Sequence, residues 1–183
     1  MEVKVNTKKE ILKSFIAWLP IAVVSLIFYG TIFIALSIWV LKDMFGIEEA
    51  LAQKTGWATG IALLSFSTYI LLKWQVNKLA SYHLSITNEI LKVKGITGWR
   101  SLDIEVPTNT IREINIGQSS SIAEELLSGY GTLKDQTASR LNFFPASGKP
   151  FNLEFAAKAF NNESLYEFLT FAKSKGIKTN IRT

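Results

Sequence analysis

Two long runs without a charged residue constrain this chain more than any other feature of its sequence. The first covers residues 14–41 and the second residues 55–72, and a lysine bounds each run at both ends. A helix needs about 20 apolar residues to cross the hydrocarbon core of a bilayer. The sequence therefore predicts two membrane spans, at about 14–41 and 55–73. The alternative is a pair of helices buried in a soluble core, although such helices rarely remain uncharged over these lengths.

Tryptophans near the ends of both runs support the membrane interpretation. Trp18 and Trp39 lie near the ends of the first run, and Trp57 and Trp74 bracket the second. A helical rise of 1.5 Å per residue separates these pairs by about 31 Å and about 25 Å. These separations approach the distance between the two aromatic belts of a membrane protein.

The lysines around the runs predict the orientation. Four precede the first run, two accompany three acidic residues in the connecting segment 42–54, and Lys73 and Lys78 follow the second run. Segments rich in lysine and arginine stay in the cytoplasm. We therefore expect a hairpin with both termini in the cytoplasm and a short external loop.

Small residues open the second run in a GxxxG pattern formed by Gly56 and Gly60. Such residues let two helix backbones approach closely in lipid. Both packing within the hairpin and a dimer interface remain open. Neither run contains Asp, Glu, Lys, Arg or His, which argues against a pore or transporter built from this chain alone.

Beyond the runs, the sequence changes to short segments that alternate between polar and apolar residues, with turn residues between them. We predict about seven strands and a C-terminal helix at 162–175, with an apolar stripe of Leu165, Phe168, Leu169 and Ala172. Asn161 or Asn162 can cap this helix, and Gly176 can end it. The predicted fold is α+β: a tail and hairpin at 1–79, then a bent antiparallel sheet or partial barrel at 80–183 that the helix closes.

Several stretches of the second half resemble bacterial membrane-anchored pleckstrin-homology-like proteins. They are Tyr82–Asn88, Val106-Pro107, Ile111–Ile114, Gln118-Ser119 and Gly129–Leu133. The resemblance covers nearly the whole chain, including the two helices that precede the β-domain. It implies a pleckstrin-homology-like domain on the cytoplasmic face of the bacterial inner membrane. These motifs are structural, so they imply a fold and no catalytic residues.

Reactive residue types are scarce. The chain has no cysteine and a single histidine, His83, which excludes thiolate chemistry and histidine-rich metal sites. No nucleophile–base pair, metal-ligand set or phosphate-binding loop is evident, so we expect no enzymatic activity, no metal and no cofactor. Basic and aromatic residues do not interleave as in nucleic-acid-binding proteins, so we expect no nucleic-acid partner.

A set of basic residues offers one ligand hypothesis. Lys92 and Lys94 share one face of a predicted strand, and Arg100 follows closely. Together with Lys73 and Lys78 they can attract anionic lipid, and the alternative is an ordinary solvated surface.

A predicted short helix offers a second hypothesis. Ser121 and Glu124 form a capping box, and Ile122, Leu126 and Leu127 share one apolar face. This face can bind a groove on a partner protein, or it can pack back against the sheet of its own domain. We therefore expect a membrane-anchored binding or scaffold module, an accessory or assembly subunit that contacts the bilayer and another membrane protein or its own copies. The alternatives are a sensor of anionic lipid and an enzyme with an unrecognised site.

Overall fold

The computed structural model describes residues 1–16, 19–98, 100–117, 132–133, 136–137 and 139–181, and for residues 16, 19–26, 132–133 and 136–137 it describes the backbone alone. The chain divides into two compact units. One joins residues 1–15 to residues 76–183, and the other contains residues 16–75. The sequence had grouped the N-terminal tail with the hairpin, whereas the structure packs it with the sheets.

The second unit is a helical hairpin. Helix α2 covers Leu19–Trp39 and continues into a π-helix at Val40–Met44, and helix α3 covers Glu49–Leu79. Two stretches are long and apolar enough to cross a membrane: Ile27–Met44, with a mean hydropathy of 1.5, and Glu49–Leu79, with a mean of 1.3. Only 11% of each stretch is buried, whereas the core helix of a soluble protein is mostly buried.

A separate helix precedes the hairpin. Helix α1 covers Lys8–Ile16, so the first residues of the predicted span 14–41 belong to α1. A capping box begins this helix: the Glu10 carboxylate accepts hydrogen bonds from the Thr7 backbone N–H and hydroxyl, each at 2.8 Å. Ile11 is fully buried, which fixes the rotation of α1 about its axis.

The first sheet is an antiparallel meander of three strands. Strand β1 covers His83–Thr87, β2 covers Ile90–Thr97 and β3 covers Arg100–Pro107. Asn88 and Glu89 form the first turn with positive φ angles, the conformation that two-residue hairpin turns require.

The remaining described strands form a four-stranded and a two-stranded sheet. The four-stranded sheet has the order β8-β7-β4-β9, with β4 at Ile111–Gly117, β7 at Arg140–Pro145, β8 at Phe151–Glu154 and β9 at Lys178–Thr179. Strands β5 (Thr132–Leu133) and β6 (Gln136–Thr137) pair with each other.

This arrangement confirms the α+β class but differs from one closed antiparallel sheet. The described sheets are not closed, and β9 runs parallel to β4. The physical reason is the chain reversal at Gly176, whose φ of 87° carries the chain from the last helix back alongside β4.

The last helix, α5, covers Asn162–Ser174 after a short helix α4 at Ala156–Ala159. The first residue and the stripe match the prediction, and the helix ends one residue earlier than the predicted 175. The side chain of Asn161 accepts a hydrogen bond from the Ser164 N–H at 3.0 Å, and all four stripe residues are buried. They join the apolar core contributed by the two larger sheets.

Residues 1–6, which we call the strap, run along the sheet-containing unit in an extended conformation. The Val3 N–H donates to the Leu84 carbonyl of β1 at 2.9 Å, and the Asn6 N–H donates to the Ala159 carbonyl at 2.8 Å. Val3 is buried. The strap therefore joins the free edge of β1 to the chain that precedes α5.

Candidate interaction surfaces

The outer face of the first sheet is polar and contains a shallow, open groove of about 490 Å³. Side chains alternate across a strand, so the inward positions supply the core and the outward positions line the groove. The polar lining consists of Ser81, His83, Lys92, Lys94, Asp103 and Glu105.

The predicted lipid-binding lysines of β2 lie on this face, but carboxylates lie opposite them. The register places Lys92 beside Glu105 and Lys94 beside Asp103. The Lys92 Nζ lies 2.8 Å from Glu105 Oε1, and the Lys94 Nζ lies 3.8 Å from Asp103 Oδ2. The face therefore carries alternating charges, which attract an anionic surface less than lysines alone.

The other three predicted basic residues are not brought into this groove. The Lys78 Nζ donates a hydrogen bond to Ser101 Oγ at 2.9 Å. Arg100 lies exposed at the start of β3. Lys73 belongs to the hairpin unit, with its Nζ 5.7 Å from the centre of the Tyr69 ring.

His83 links the strap to the sheet. Its Nδ1 lies 3.1 Å from Glu2 Oε1, and its Nε2 lies 2.9 Å from Ser85 Oγ. Glu2 also forms a β-bridge with Ser85. These contacts assign the single histidine a positioning role on the strap.

The GxxxG glycines contact the other helix of the hairpin. A Cβ atom added at Gly56 would meet Ile38 Cα at 3.1 Å, and one at Gly60 would meet Ile34 Cα at 2.9 Å. The glycines thus permit a close approach of α3 to α2, which is the geometry of packing within one chain.

A lysine of the short helix α4, Lys158, is buried against the end of α1. Lys158 is 3% exposed, and its ammonium lies 4.0 Å from the centre of the Phe15 ring. Burial lowers the pKa of Lys158 to about 8, because removal from water disfavours the charged form. The aromatic ring offsets part of this cost.

Other buried polar groups tie strands together. The Tyr82 hydroxyl donates to the Glu154 carbonyl at 3.0 Å, and burial raises the pKa of Tyr82, so this tyrosine stays protonated. Arg140 and Glu154 form a largely buried ion pair at 3.4 Å between neighbours of β7 and β8. Within the described ranges, no group of three or more His, Asp or Glu side chains can hold a metal ion.

The predicted partner-binding residues Ile122, Leu126 and Leu127 lie outside the described residues, as does the predicted helix that carries them. Their proposed role stays a prediction.

Sequence reasoning missed the strap and the capping box, although both leave signals. Val3 and Val5 alternate with Glu2 and Lys4, a strand pattern, and Thr7 with Glu10 has the capping-box spacing. The burial of Lys158 has no comparable signal.

No protein-family model, curated protein or solved structure matches this chain, so its function must be argued from the geometry described above.

Proposed function

We propose that this chain is a non-enzymatic, membrane-anchored binding module that serves as an accessory or assembly subunit of a membrane protein complex. One observation carries the proposal. Of the twenty large apolar side chains exposed among the described residues, seventeen lie between Ile27 and Trp74. The other three are each less than 40% exposed. Exposed apolar surface on this scale requires a nonaqueous environment or a partner, and a bilayer provides the former.

The division into units supports a hairpin that crosses the membrane twice. Residues 1–15 and residues 76–183 belong to the same compact unit, which supports a hairpin whose two ends lie on the same side of the membrane. The lysine distribution favours the cytoplasmic side. We therefore place the sheet-containing unit at the cytoplasmic face of the bacterial inner membrane.

The element order supports a pleckstrin-homology-like domain: short antiparallel strands and then an amphipathic helix whose stripe is buried. The chemistry supports binding rather than catalysis, since the histidine and the buried tyrosine described above are engaged in contacts within the fold. A membrane protein is the favoured partner because tethering in one bilayer raises the effective concentration of neighbours. A lipid sensor that uses Lys92 and Lys94 is less favoured, since carboxylates lie opposite both.

Purification of the intact chain from its native membrane in mild detergent tests the proposal. We expect another membrane protein to co-purify in a fixed ratio. The matched control replaces residues 16–75 by a flexible Gly/Ser linker, which should reduce partner retention by removing the effect of tethering. Release of the intact chain from membranes by carbonate washing would contradict membrane anchoring. Retention of the linker variant on anionic vesicles, with no co-purifying protein, would favour the lipid sensor.

A further inference from the structure

Helix α1 has a fixed orientation within its unit. Ile11 is fully buried, and a helix turns about 100° per residue. Lys9 and Lys13 each lie two positions from Ile11, about 200° around the helix. Both lysines therefore project from the side opposite the buried face, one turn apart, and both are exposed.

The exposed side of α1 carries an excess of positive charge. Lys8 is exposed as well, and the carboxylate of Glu10 is drawn to the helix N-terminus by its bonds to Thr7. Among the ion pairs of the described residues, none involves the lysines of α1. The acidic residue of α1, Glu10, is held by Thr7, whose hydrogen bonds lower the pKa of Glu10 more than the charge of Lys13 does. This distinguishes the lysines of α1 from Lys92 and Lys94, which form direct ion pairs with carboxylates.

The position of α1 in the chain favours lipid as the ligand. Helix α1 ends at Ile16, and the apolar helix α2 begins at Leu19. Lys13 therefore lies within six residues of α2, at most about 20 Å even for an extended chain. Leu12, beside the lysines, is 37% exposed, and an exposed apolar side chain between lysines is typical of helices that lie at a membrane surface.

We propose that α1 binds the headgroups of anionic phospholipids through Lys9 and Lys13, with Lys8 as a further contact. The inference rests on the proposed membrane anchoring and adds a lipid class and a surface to it. Each lysine near an anionic surface contributes about a fivefold preference. The buried Ile11 holds the lysines in place, so no helix ordering accompanies binding.

The test uses the whole chain, which has no cysteine. A donor fluorophore is attached to Leu12→Cys, and the chain is placed in nanodiscs that contain phosphatidylcholine and phosphatidylglycerol. Energy transfer to tail-labelled phosphatidylglycerol is compared with transfer to tail-labelled phosphatidylcholine at equal acceptor density. We expect a ratio above one that falls to one in high salt, because salt screens exposed charges.

Variants locate the site. Lys9→Gln with Lys13→Gln should bring the ratio to one, whereas Lys149→Gln with Lys173→Gln, which removes the same charge from two other exposed positions, should leave it unchanged. All four lysines are exposed, so neither double variant should change the thermal stability of the protein. The salt dependence of the energy-transfer ratio, measured on the chain with all four lysines intact, tests the proposal independently of these variants.

The outcomes separate this proposal from the membrane anchoring. A chain that does not enter nanodiscs overturns both. A chain that enters but gives a ratio of one overturns only the headgroup contact, and loss of a co-purifying acidic protein from the Lys9→Gln, Lys13→Gln variant would then assign α1 to that partner. A ratio that falls only in Lys92→Gln with Lys94→Gln would return the site to the groove of the first sheet.

Discussion

At the scale of single residues, Lys158 stands apart from the other described lysines of its unit, which all retain some exposure. A buried ammonium loses its hydration, and the Phe15 ring compensates in part. The position therefore stabilises the unit less than an apolar side chain of similar length would. The free-energy cost of burying Lys158 depends on whether its amine is protonated, so it can be measured as a change of stability with pH.

We expect the stability of the protein to rise as the pH increases from about 8 to 10.5. The pKa of Lys158 is about 8 in the folded chain against the ordinary 10.5, so the folded state binds fewer protons than the unfolded state within this window. The whole effect has a ceiling of about 3 kcal/mol. Lys158→Met should abolish the rise and stabilise the protein at pH 7, as measured by thermal unfolding in detergent across the window.

The exposed Lys173→Met variant is the control, and it should keep the rise. If Lys158→Met keeps it too, another group is the cause.

Phe168 lies at the centre of the buried stripe of α5. Phe168→Ala should reduce the free energy of unfolding by about 3–5 kcal/mol, which is comparable with the whole stability of a small domain. Denaturant unfolding of the intact chain, followed by circular dichroism, measures this loss. Phe171→Ala, on the partly exposed side of the same helix, should cost much less; equal losses would mean that α5 does not close the core through its stripe.

At the scale of elements, glycines in both helices of the hairpin lie closely against the other helix. Gly60 lies against the backbone of Ile34, whereas Gly30 of α2 lies against the end of the Leu64 side chain of α3. Small residues let dispersion contacts and Cα–H···O contacts form over the whole length of a pair of helices in lipid. Added volume at Gly60 must therefore separate the helices, because it would meet backbone atoms.

Gly60→Val should lengthen and broaden the distance between spin labels at Leu36→Cys and Leu63→Cys. A Cβ at this position would lie 2.9 Å from the Cα of Ile34, and a backbone atom cannot yield without moving the helix. Ala58→Val, at an exposed position of the same helix, should leave the distance unchanged. An unchanged distance in Gly60→Val, together with the loss of a cross-linked dimer, would assign the glycines to an interface between two copies.

Sequence predicted the elements whose signal is local. The apolar stripe of α5, its capping residue and the glycine that ends it lie within sixteen residues, so the sequence predicts this helix closely. The two uncharged runs likewise predict the two helices of the hairpin. Pairing of β9 with β4 was not predictable, because it joins Lys178 to Glu113 through a tertiary contact with no local pattern. The charge balance of the groove was missed for the same reason: Lys92 and Glu105 are neighbours only once the register is known.

At the scale of the whole molecule, the hairpin is an insertion within the sheet-containing unit. The strap and α1 precede it, and all the strands that the structure describes follow it. A fragment that begins at residue 80 therefore lacks Val3 and Ile11, both of which are buried in the complete unit. The sequence-based boundary at 79/80 would remove part of the core.

The linker variant that lacks residues 16–75 should fold and remain soluble, whereas residues 80–183 alone should be much less stable. Loss of two buried aliphatic side chains costs several kcal/mol, and the edge of β1 would lose its backbone partners. Thermal unfolding and gel filtration of the two proteins measure the difference. Equal stability would show that the strap contributes nothing to the fold.

Thiol labelling tests the topology. Glu48→Cys lies in the connecting segment and Lys149→Cys in an exposed turn between β7 and β8. A membrane-impermeant thiol reagent added to whole cells should label the first and spare the second until the cells are lysed. Labelling of Lys149→Cys alone would mean that the orientation is reversed. Labelling of both positions in intact cells would mean that the connecting segment and the sheet-containing unit lie on the same, external side.

The strap also sets the order of events during synthesis. The Asn6 side chain donates to the carbonyl of Lys158, 152 positions later, so this contact cannot form until residue 158 has been synthesised and has left the ribosome. At about 5–20 residues per second, the strap waits roughly 8–30 s for its partners. The apolar helices emerge within that interval, so under the proposed membrane anchoring they can enter the bilayer before the strap meets its partners. The sheet-containing unit therefore completes its fold only after the whole hairpin has been synthesised.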